Sequence, residues 1–338
     1  MRTTPMESER VAADVRRAVE DAIWAPSVHN TQPWRFGVRG ARITLRADPD
    51  RRLGVADPMG REMLISCGAA LYTLRLSLRM LGYDPVVHLL PDPDRPHLLA
   101  DVDLRPGEPA DAAVELEHAQ IRRRHSHRGG FLPDPVPAGV QSLLRHAAER
   151  EGARLVQAVD ANVKGALAAL TDAAEHIQRR SPAYATEIAR WAPAPGTSRR
   201  DGVQEGAYPQ RTPQTAPYFP ARDFARGQGW GTEPDPDDGT ARSGLVVLLV
   251  SGGDTPAHWL KSGQALQRVL LRAAEHGLSA AYHTQALQIP DLRAFIRTQF
   301  CADADADPQL LLRLGAVEGE GRSSVRRPVE EVLTGEPG

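Results

Sequence analysis

Apolar residues recur at helical spacing from the start of the chain. Val11, Val15, Val19 and Ile23 lie four apart and predict an amphipathic helix over residues 8–24. Met63–Leu81 is apolar on most of its faces and predicts a long, buried helix, and Trp259–Gly277 predicts a second. Between them the period changes. Arg42–Arg46 alternates as a strand, and short strands are expected at Pro85–Leu90, Leu98–Leu104 and Arg154–Val159. Ala112–Ile121, Pro137–Arg150 and residues 161–191 read as helices, the last broken near Pro182. Leu245–Val250 is a nearly continuous apolar run, as expected of a strand covered on both faces, and Leu310–Leu314 is a second candidate.

Two of these stretches resemble each other. Gly68-Ala69-Ala70-Leu71 opens an apolar helix that closes at Gly82, and Gly263-Gln264-Ala265-Leu266 opens one that closes at Gly277 after the same separation. Leu74 then aligns with Val269 and Leu76 with Leu271. Both helices run into strand-like segments, Pro85–Leu90 and Leu278–Tyr282. Self-similarity of this kind predicts two related halves in one polypeptide.

The segment Trp24–Phe36 carries the first candidate chemistry. Pro26 and Pro33 force their preceding residues out of the α region, so a helix ends here and a polar loop begins. Ser27, Asn30 and Gln32 give that loop short donors and acceptors, with Trp24, Trp34 and Phe36 as apolar support. Such a loop suits a flat, hydrogen-bonding ligand, or merely satisfies its own backbone, and the residues alone leave both readings open. The second candidate is Arg122-Arg123-Arg124-His125-Ser126-His127-Arg128. So dense a positive charge demands a counter-charge or full solvation. Nucleic acid is disfavoured, because aromatic interleaving is missing and the net charge is −2. A solvated helix end and a phosphate clamp remain, the latter built from guanidinium forks with Ser126 as a further donor.

The string Ala25-Pro26-Ser27-x-x-Asn30-x-Gln32-Pro33-Trp34-x-Phe36 resembles the flavin-facing loop of the nitroreductase superfamily. Arg124, Ser126 and Arg128 match that superfamily's Arg-x-Ser-x-Arg/Lys motif, with His125 between the first two. In a conventional subunit the arginine motif comes first. Here the loop lies near the N-terminus and the arginine motif follows later, so each half carries the half-motif that the other lacks. With the repeat, this resembles the Acg-type branch, in which two nitroreductase-like halves are fused as an intramolecular pseudo-dimer. The resemblance implies an α+β fold, an N-terminal half over 1–120 and a C-terminal half over 121–338, with 192–242 inserted as a lid. That insertion is rich in Pro, Gly and Arg and carries Tyr208, Tyr218, Phe219, Phe224 and Trp230, more aromatics than a plain linker would.

The same resemblance implies FMN as cofactor and assigns residues to it. Ser27, Val28 and Asn30 would face the ring, with Gln32 fixing their loop. Arg124, His125, Ser126 and Arg128 would hold the phosphate and ribityl chain. Arg326 and Arg327, in the tail Arg326-Arg327-Pro328-Val329, are alternatives for a second basic residue on the phosphate. Gln285, within Thr284-Gln285-Ala286, falls where the superfamily brings backbone N–H groups to flavin N5. His283 is the histidine to consider as a proton donor. The implied function is an FMN-dependent oxidoreductase passing hydride through N5 to or from a small organic molecule. The alternatives are a protein that sequesters or senses FMN under a closed lid with little NAD(P)H-dependent turnover, and a flavin enzyme specialised for a biosynthetic intermediate. One chain should suffice for one site, as monomer or homodimer.

Composition adds bounds. At 338 residues, 41% hydrophobic and 25% charged, the chain can hold two cores of ordinary size. No apolar run approaches the ~20 residues needed to span a bilayer, and the N-terminus lacks the apolar core of a signal peptide. Cys67 and Cys301 are too few for a disulfide framework, so a cytoplasmic protein is expected. Lys164 and Lys261 are the only lysines, a bias that discounts arginine abundance in general but not the cluster at 122–128. There is no metal-ligand cluster, no Ser-His-Asp set and no phosphate-loop or dinucleotide fingerprint.

Overall fold

Proline, glycine and the apolar pattern divide the chain much as expected. The structure is a computed structural model and describes residues 5–207, 211–212, 215–224, 233–234, 242–301, 303, 305–319 and 324–335. Tyr208 and Trp230 of the expected lid lie outside the described residues.

In chain order the elements are α1 (Pro5–Ala22), β1 (Trp34–Arg39), β2 (Arg42–Ala47), α2 (Arg61–Met80), β3 (Tyr83–Leu89), β4 (Leu98–Pro106) and α3 (Ala112–His118). There follow α4 (Ala138–Glu149), β5 (Ala153–Gln157), α5 (Ala161–Arg179), α6 (Pro182–Arg190) and a two-residue ladder of β6 (Arg211–Thr212) with β7 (Glu233–Pro234). The chain ends with β8 (Leu245–Ser251), α7 (Pro256–Glu275), β9 (Leu278–Tyr282), α8 (Pro290–Phe300), β10 (Asp307–Ala316), α9 (Val329–Val332) and β11 (Leu333–Gly335). Among the described residues no helix is long and apolar enough to cross a membrane.

The fold is α+β, with two sheets and two long central helices. One sheet has the order β11-β1-β2-β4-β3, the other β5-β8-β10-β9. In the first, β1 pairs antiparallel with β2, Phe36 opposite Leu45, and parallel with β11, Phe36 opposite Leu333. The C-terminus thus returns to the sheet made by residues 34–106. The second sheet is antiparallel, with Leu312 of β10 opposite both Val247 of β8 and Tyr282 of β9. Leu249, Leu311, Leu312 and Leu314 are wholly buried, as the continuous apolar runs require.

Helices α2 and α7 cross between the sheets, and the crossing explains the repeated glycines. A Cβ on Gly68 would be driven into the carbonyl of Leu260 and lie 3.0 Å from the Gly263 Cα. A Cβ on Gly263 would meet the carbonyl of Ile65 and lie 2.8 Å from the Gly68 Cα. The two relations are the same relation seen from either helix, since Ile65 and Leu260 each lie three residues before their glycine. A local two-fold axis therefore passes between the pair, and the halves aligned in sequence meet there in space.

Some elements escaped the pattern. β1 begins directly after Pro33, where a loop was expected, and its Trp34 and Phe36 are core residues. α3 ends at His118, short of Ile121, and turns carry the chain to Arg124. α8 buries only Ile296, too thin a stripe to read, and β11 is three residues long.

Candidate active site

The polar loop after α1 is wound tightly. Residues 28–30 form a single 3-10 turn, and His29, Asn30 and Gln32 all take positive φ (48°, 53° and 48°). Asn and His visit this region more often than most residues and Gln less readily, so the surroundings hold Gln32 and the loop there. They do so through its side chains. Ser27 Oγ accepts from the Gln32 backbone N–H (3.0 Å), and the Val28 N–H donates to Ser66 Oγ (3.1 Å). Asn30 Nδ2 donates to the carbonyls of Gly202 (3.0 Å) and Val325 (3.1 Å), while its Oδ1 accepts from Arg326 Nη1 (3.2 Å). Gln32 Nε2 donates to the Arg200 carbonyl (2.8 Å), and its Oε1 accepts from the Arg327 N–H (2.8 Å). The loop thus ties the C-terminal tail to the start of the inserted segment.

Two arginines from distant parts of the chain converge beside this loop. Arg124 Nη2 and Arg326 Nη2 both donate to the carbonyl of Trp24, at 3.1 and 3.3 Å. Neither has a carboxylate partner among the described residues. Nε and Nη1 of Arg124 and Nε of Arg326 are buried without a hydrogen bond. Burial and then the neighbouring Arg124 push Arg326 down to about 9, and burial lowers Arg124. Unsatisfied, like-charged guanidinium groups at close range are costly.

A cavity opens next to them. Ser27, Val28 and Asn30 line it from the loop, and Ser126, Arg128 and Arg326 from the arginine side. Tyr282, His283 and Thr284 line it from the end of β9, where Ser126 bridges to Ala280 and the His127 N–H donates to the Ala280 carbonyl (2.8 Å). Val203, Ala221, Arg222 and Phe224 form a further wall. Phe224 stands edge-on to His29 at 5.2 Å, and Phe219 packs on His283 at 5.1 Å.

The remaining candidates lie off this wall. Gln32 is wholly buried in the bonding just described. Arg124 stands behind the wall at the Trp24 carbonyl, and His125 is half-buried away from the lining. Gln285 turns its amide to Glu175 (3.4 Å), so its side chain points away from the cavity. Arg327 is not the alternative to Arg326: its guanidinium bonds Glu331 (3.1 Å) and the Gln32 carbonyl (3.3 Å). His283 reaches the cavity but cannot serve as the acid envisaged for it. Its Nε2 accepts from Arg313 Nε (2.8 Å) and its Nδ1 faces the Pro220 carbonyl (3.3 Å). Burial, and then Arg313, hold its pKa well below the usual imidazole range.

The structure adds lining residues that sequence reasoning missed. Glu62, at the start of α2, is buried, held by Arg61 (3.0 Å) and Gln288 (2.8 Å), and its pKa is raised by desolvation. His29, inside the polar loop, lines the cavity as well. Arg313 carried the clearest signal: a charge in the middle of the apolar run Leu310–Leu314.

No family model matches the chain. It is similar to two Mycobacterium tuberculosis proteins that carry the name of candidate NAD(P)H nitroreductases. It is 35% identical to Rv3131 over 310 residues, covering 90% of this chain and 85% of that one. It is 30% identical to acg over 332 residues, covering 97% and 98%. Among solved structures it is similar to a nitroreductase with bound FMN from Bacteroides fragilis (12% identity, 64% of this chain and 94% of that one, TM-score 0.37). Another is the NADPH:FMN oxidoreductase of Vibrio harveyi complexed with NAD+ (11% identity, 66% and 77%, TM-score 0.40). These structural likenesses are too loose to build on.

Proposed function

The chain belongs to the NAD(P)H nitroreductase family, and from that premise we propose that its cavity holds one FMN and that it works as an FMN-dependent oxidoreductase on a small organic molecule. One observation carries the cofactor: Arg124 and Arg326 are buried side by side with unused N–H groups and no carboxylate. A phosphate dianion fits that position, because it accepts several charge-assisted hydrogen bonds and cancels the repulsion. Arg326, on the wall, would hold the phosphate, with the charge of Arg124 behind it, Ser126 and Arg128 along the ribityl chain, and the loop of Ser27, Val28 and Asn30 at the ring. The side chain of Asn30 and the Val28 and Asn30 N–H groups are already committed, whereas the Ser27 hydroxyl accepts from Gln32 and still has its own proton to donate. Bound there, the flavin supplies the hydride chemistry, with NADH or NADPH as electron donor. The chain's own part is to orient it, to exclude water under the wall of Ala221, Arg222 and Phe224, and to keep His283 neutral between Arg313 and Pro220.

The purified protein is expected to be yellow, with a phosphorus-to-protein ratio near one FMN per chain. A ratio near two contradicts the single site, and colourless protein that cannot be reconstituted removes the cofactor. Stopped-flow mixing with NADH and NADPH then tests turnover, with rapid bleaching expected. A flavin that stays oxidised favours the sequestering alternative. The anchoring of the inserted wall speaks for that reading, since Arg222 bonds Tyr184 and Gln288 (3.0 Å) from within it.

A further inference from the structure

We propose that the cavity contains, at Arg313, a subsite for a small planar organic anion, an aromatic carboxylate being the class that fits. As a second position beside the cofactor, it rests on the FMN reading above.

Arg313 lies on the central strand β10 and is 2% exposed. Among the described residues its hydrogen-bond partners are all neutral. Nε donates to His283 Nε2 (2.8 Å), Nη1 to the Ser243 carbonyl (3.3 Å) and Nη2 to the Gly129 carbonyl (3.3 Å). The rings of Phe131 and Phe219 each stand 5.3 Å from its guanidinium carbon. Among the described residues it has no carboxylate partner. Burial lowers its pKa only to about 10, so it keeps its full charge at neutral pH. A buried cation without a counter-ion is costly unless an anion reaches it.

The rest of the lining does not supply that anion. Glu62, the one carboxylate on the wall, is engaged by Arg61 and Gln288. Arg222 is balanced by Glu175 and Glu62, which help to raise its pKa. The cofactor's phosphate is assigned to the other pole, where Arg326 and Arg124 meet at the Trp24 carbonyl. One FMN brings one phosphate, so a second cationic pole calls for a second anion.

The remaining walls describe its body. Ile65, Leu266, Leu310 and Phe224 are apolar. His29 is 8% exposed, lines the same cavity and has no hydrogen bond at either ring nitrogen. Burial, with Arg222 and Arg128 nearby, keeps it neutral, so it offers a ligand one donor and one acceptor. A flat apolar molecule with a carboxylate at one end meets all three demands.

The test is calorimetric titration of the purified full-length protein with benzoate and with benzamide, which has the same shape without the charge, with FMN content measured on the same sample. Benzoate is expected to bind at least about tenfold tighter, the worth of one charge-assisted hydrogen bond, and Arg313→Gln to abolish the preference. Equal affinities, or no benzoate binding, overturn the subsite, and this comparison needs no variant should Arg313→Gln fail to fold. A preference that survives Arg313→Gln but is lost in Arg326→Ala overturns it too, by placing the anion at the phosphate pole. Absence of any preference in the unmodified protein with FMN near one per chain sinks the subsite alone. Preference retained in colourless protein upholds the subsite and sinks the cofactor reading.

Discussion

Replacing Arg326 with alanine is expected to weaken FMN binding by roughly ten- to a hundredfold, and Arg124→Ala by a smaller factor, since Arg124 stands behind the cavity wall. A charge-assisted hydrogen bond contributes ~1.5–3 kcal/mol, and Arg326 has its Nε–H to give and Arg124 its Nε and Nη1. The two share the Trp24 carbonyl, so their losses will not simply add in the double variant. Without flavin the sign reverses. The folded chain then presses two buried cations together, and Arg326 is pushed down to about 9 by burial first and Arg124 second. Its folded pKa lies below the ordinary value of 12.5, so folding disfavours its charged form. That penalty is fully present at neutral pH and shrinks as pH rises from about 9 towards the ordinary value, where the folded chain has shed a proton that the unfolded chain keeps. Arg326→Ala should therefore raise the denaturation midpoint of flavin-free protein while lowering FMN affinity. Flavin fluorescence titration and urea unfolding of the stripped protein measure the two effects. Unchanged FMN affinity would move the phosphate elsewhere.

That opposition of signs also marks what the sequence could and could not reveal. Arg124, Ser126 and Arg128 stand out as a cluster, and the Ser27–Gln32 loop stands out by its prolines, because both are contiguous. Arg326 and Arg327 are adjacent and chemically identical in sequence. Only the local backbone direction sends one to Trp24 and Asn30 and the other to Gln32 and Glu331. Gln285 sits on the expected segment, but the short helical turn over Thr284–Gln288 rotates its amide to Glu175. Arg313 and Glu62 are legible as charges among apolar neighbours, yet a pattern cannot say which residues answer them, because those come from β9, the inserted segment and the turn at Gln288. β11 is held by Phe36 and Val38, about three hundred residues away, and three residues carry no period. Of the aromatics between 192 and 242, Phe219 reaches His283 and Phe224 reaches His29, a choice that composition alone does not show.

Gly263→Ala is expected to be the most damaging of the small substitutions, with Gly68→Ala close behind, each costing about 2–3 kcal/mol or preventing folding. Alanine ordinarily stabilises a helix interior by ~1 kcal/mol over glycine. Here the new methyl meets backbone: the Ile65 carbonyl and, at 2.8 Å, the Gly68 Cα in one case, the Leu260 carbonyl and the Gly263 Cα in the other. No rotamer change relieves a clash with helix backbone, so α2 and α7 must separate. Overpacking typically costs ~1–3 kcal/mol and more where relief is blocked, which outweighs the propensity gain. Gly165→Ala is the internal control. It lies inside α5 with nothing within 4 Å of its Cβ position, so it should be neutral or stabilising by ~0.5–1 kcal/mol. The crossing also borders the cavity, since Ile65 and Ser66 of α2 and Leu266 of α7 line it. Separation of the helices should accordingly weaken flavin binding along with stability, although neither glycine touches the cavity. Urea midpoints of the three variants decide the matter. A Gly263→Ala protein within ~0.5 kcal/mol of its parent, the range of an innocuous surface change, would mean that the two halves do not meet backbone to backbone at these glycines.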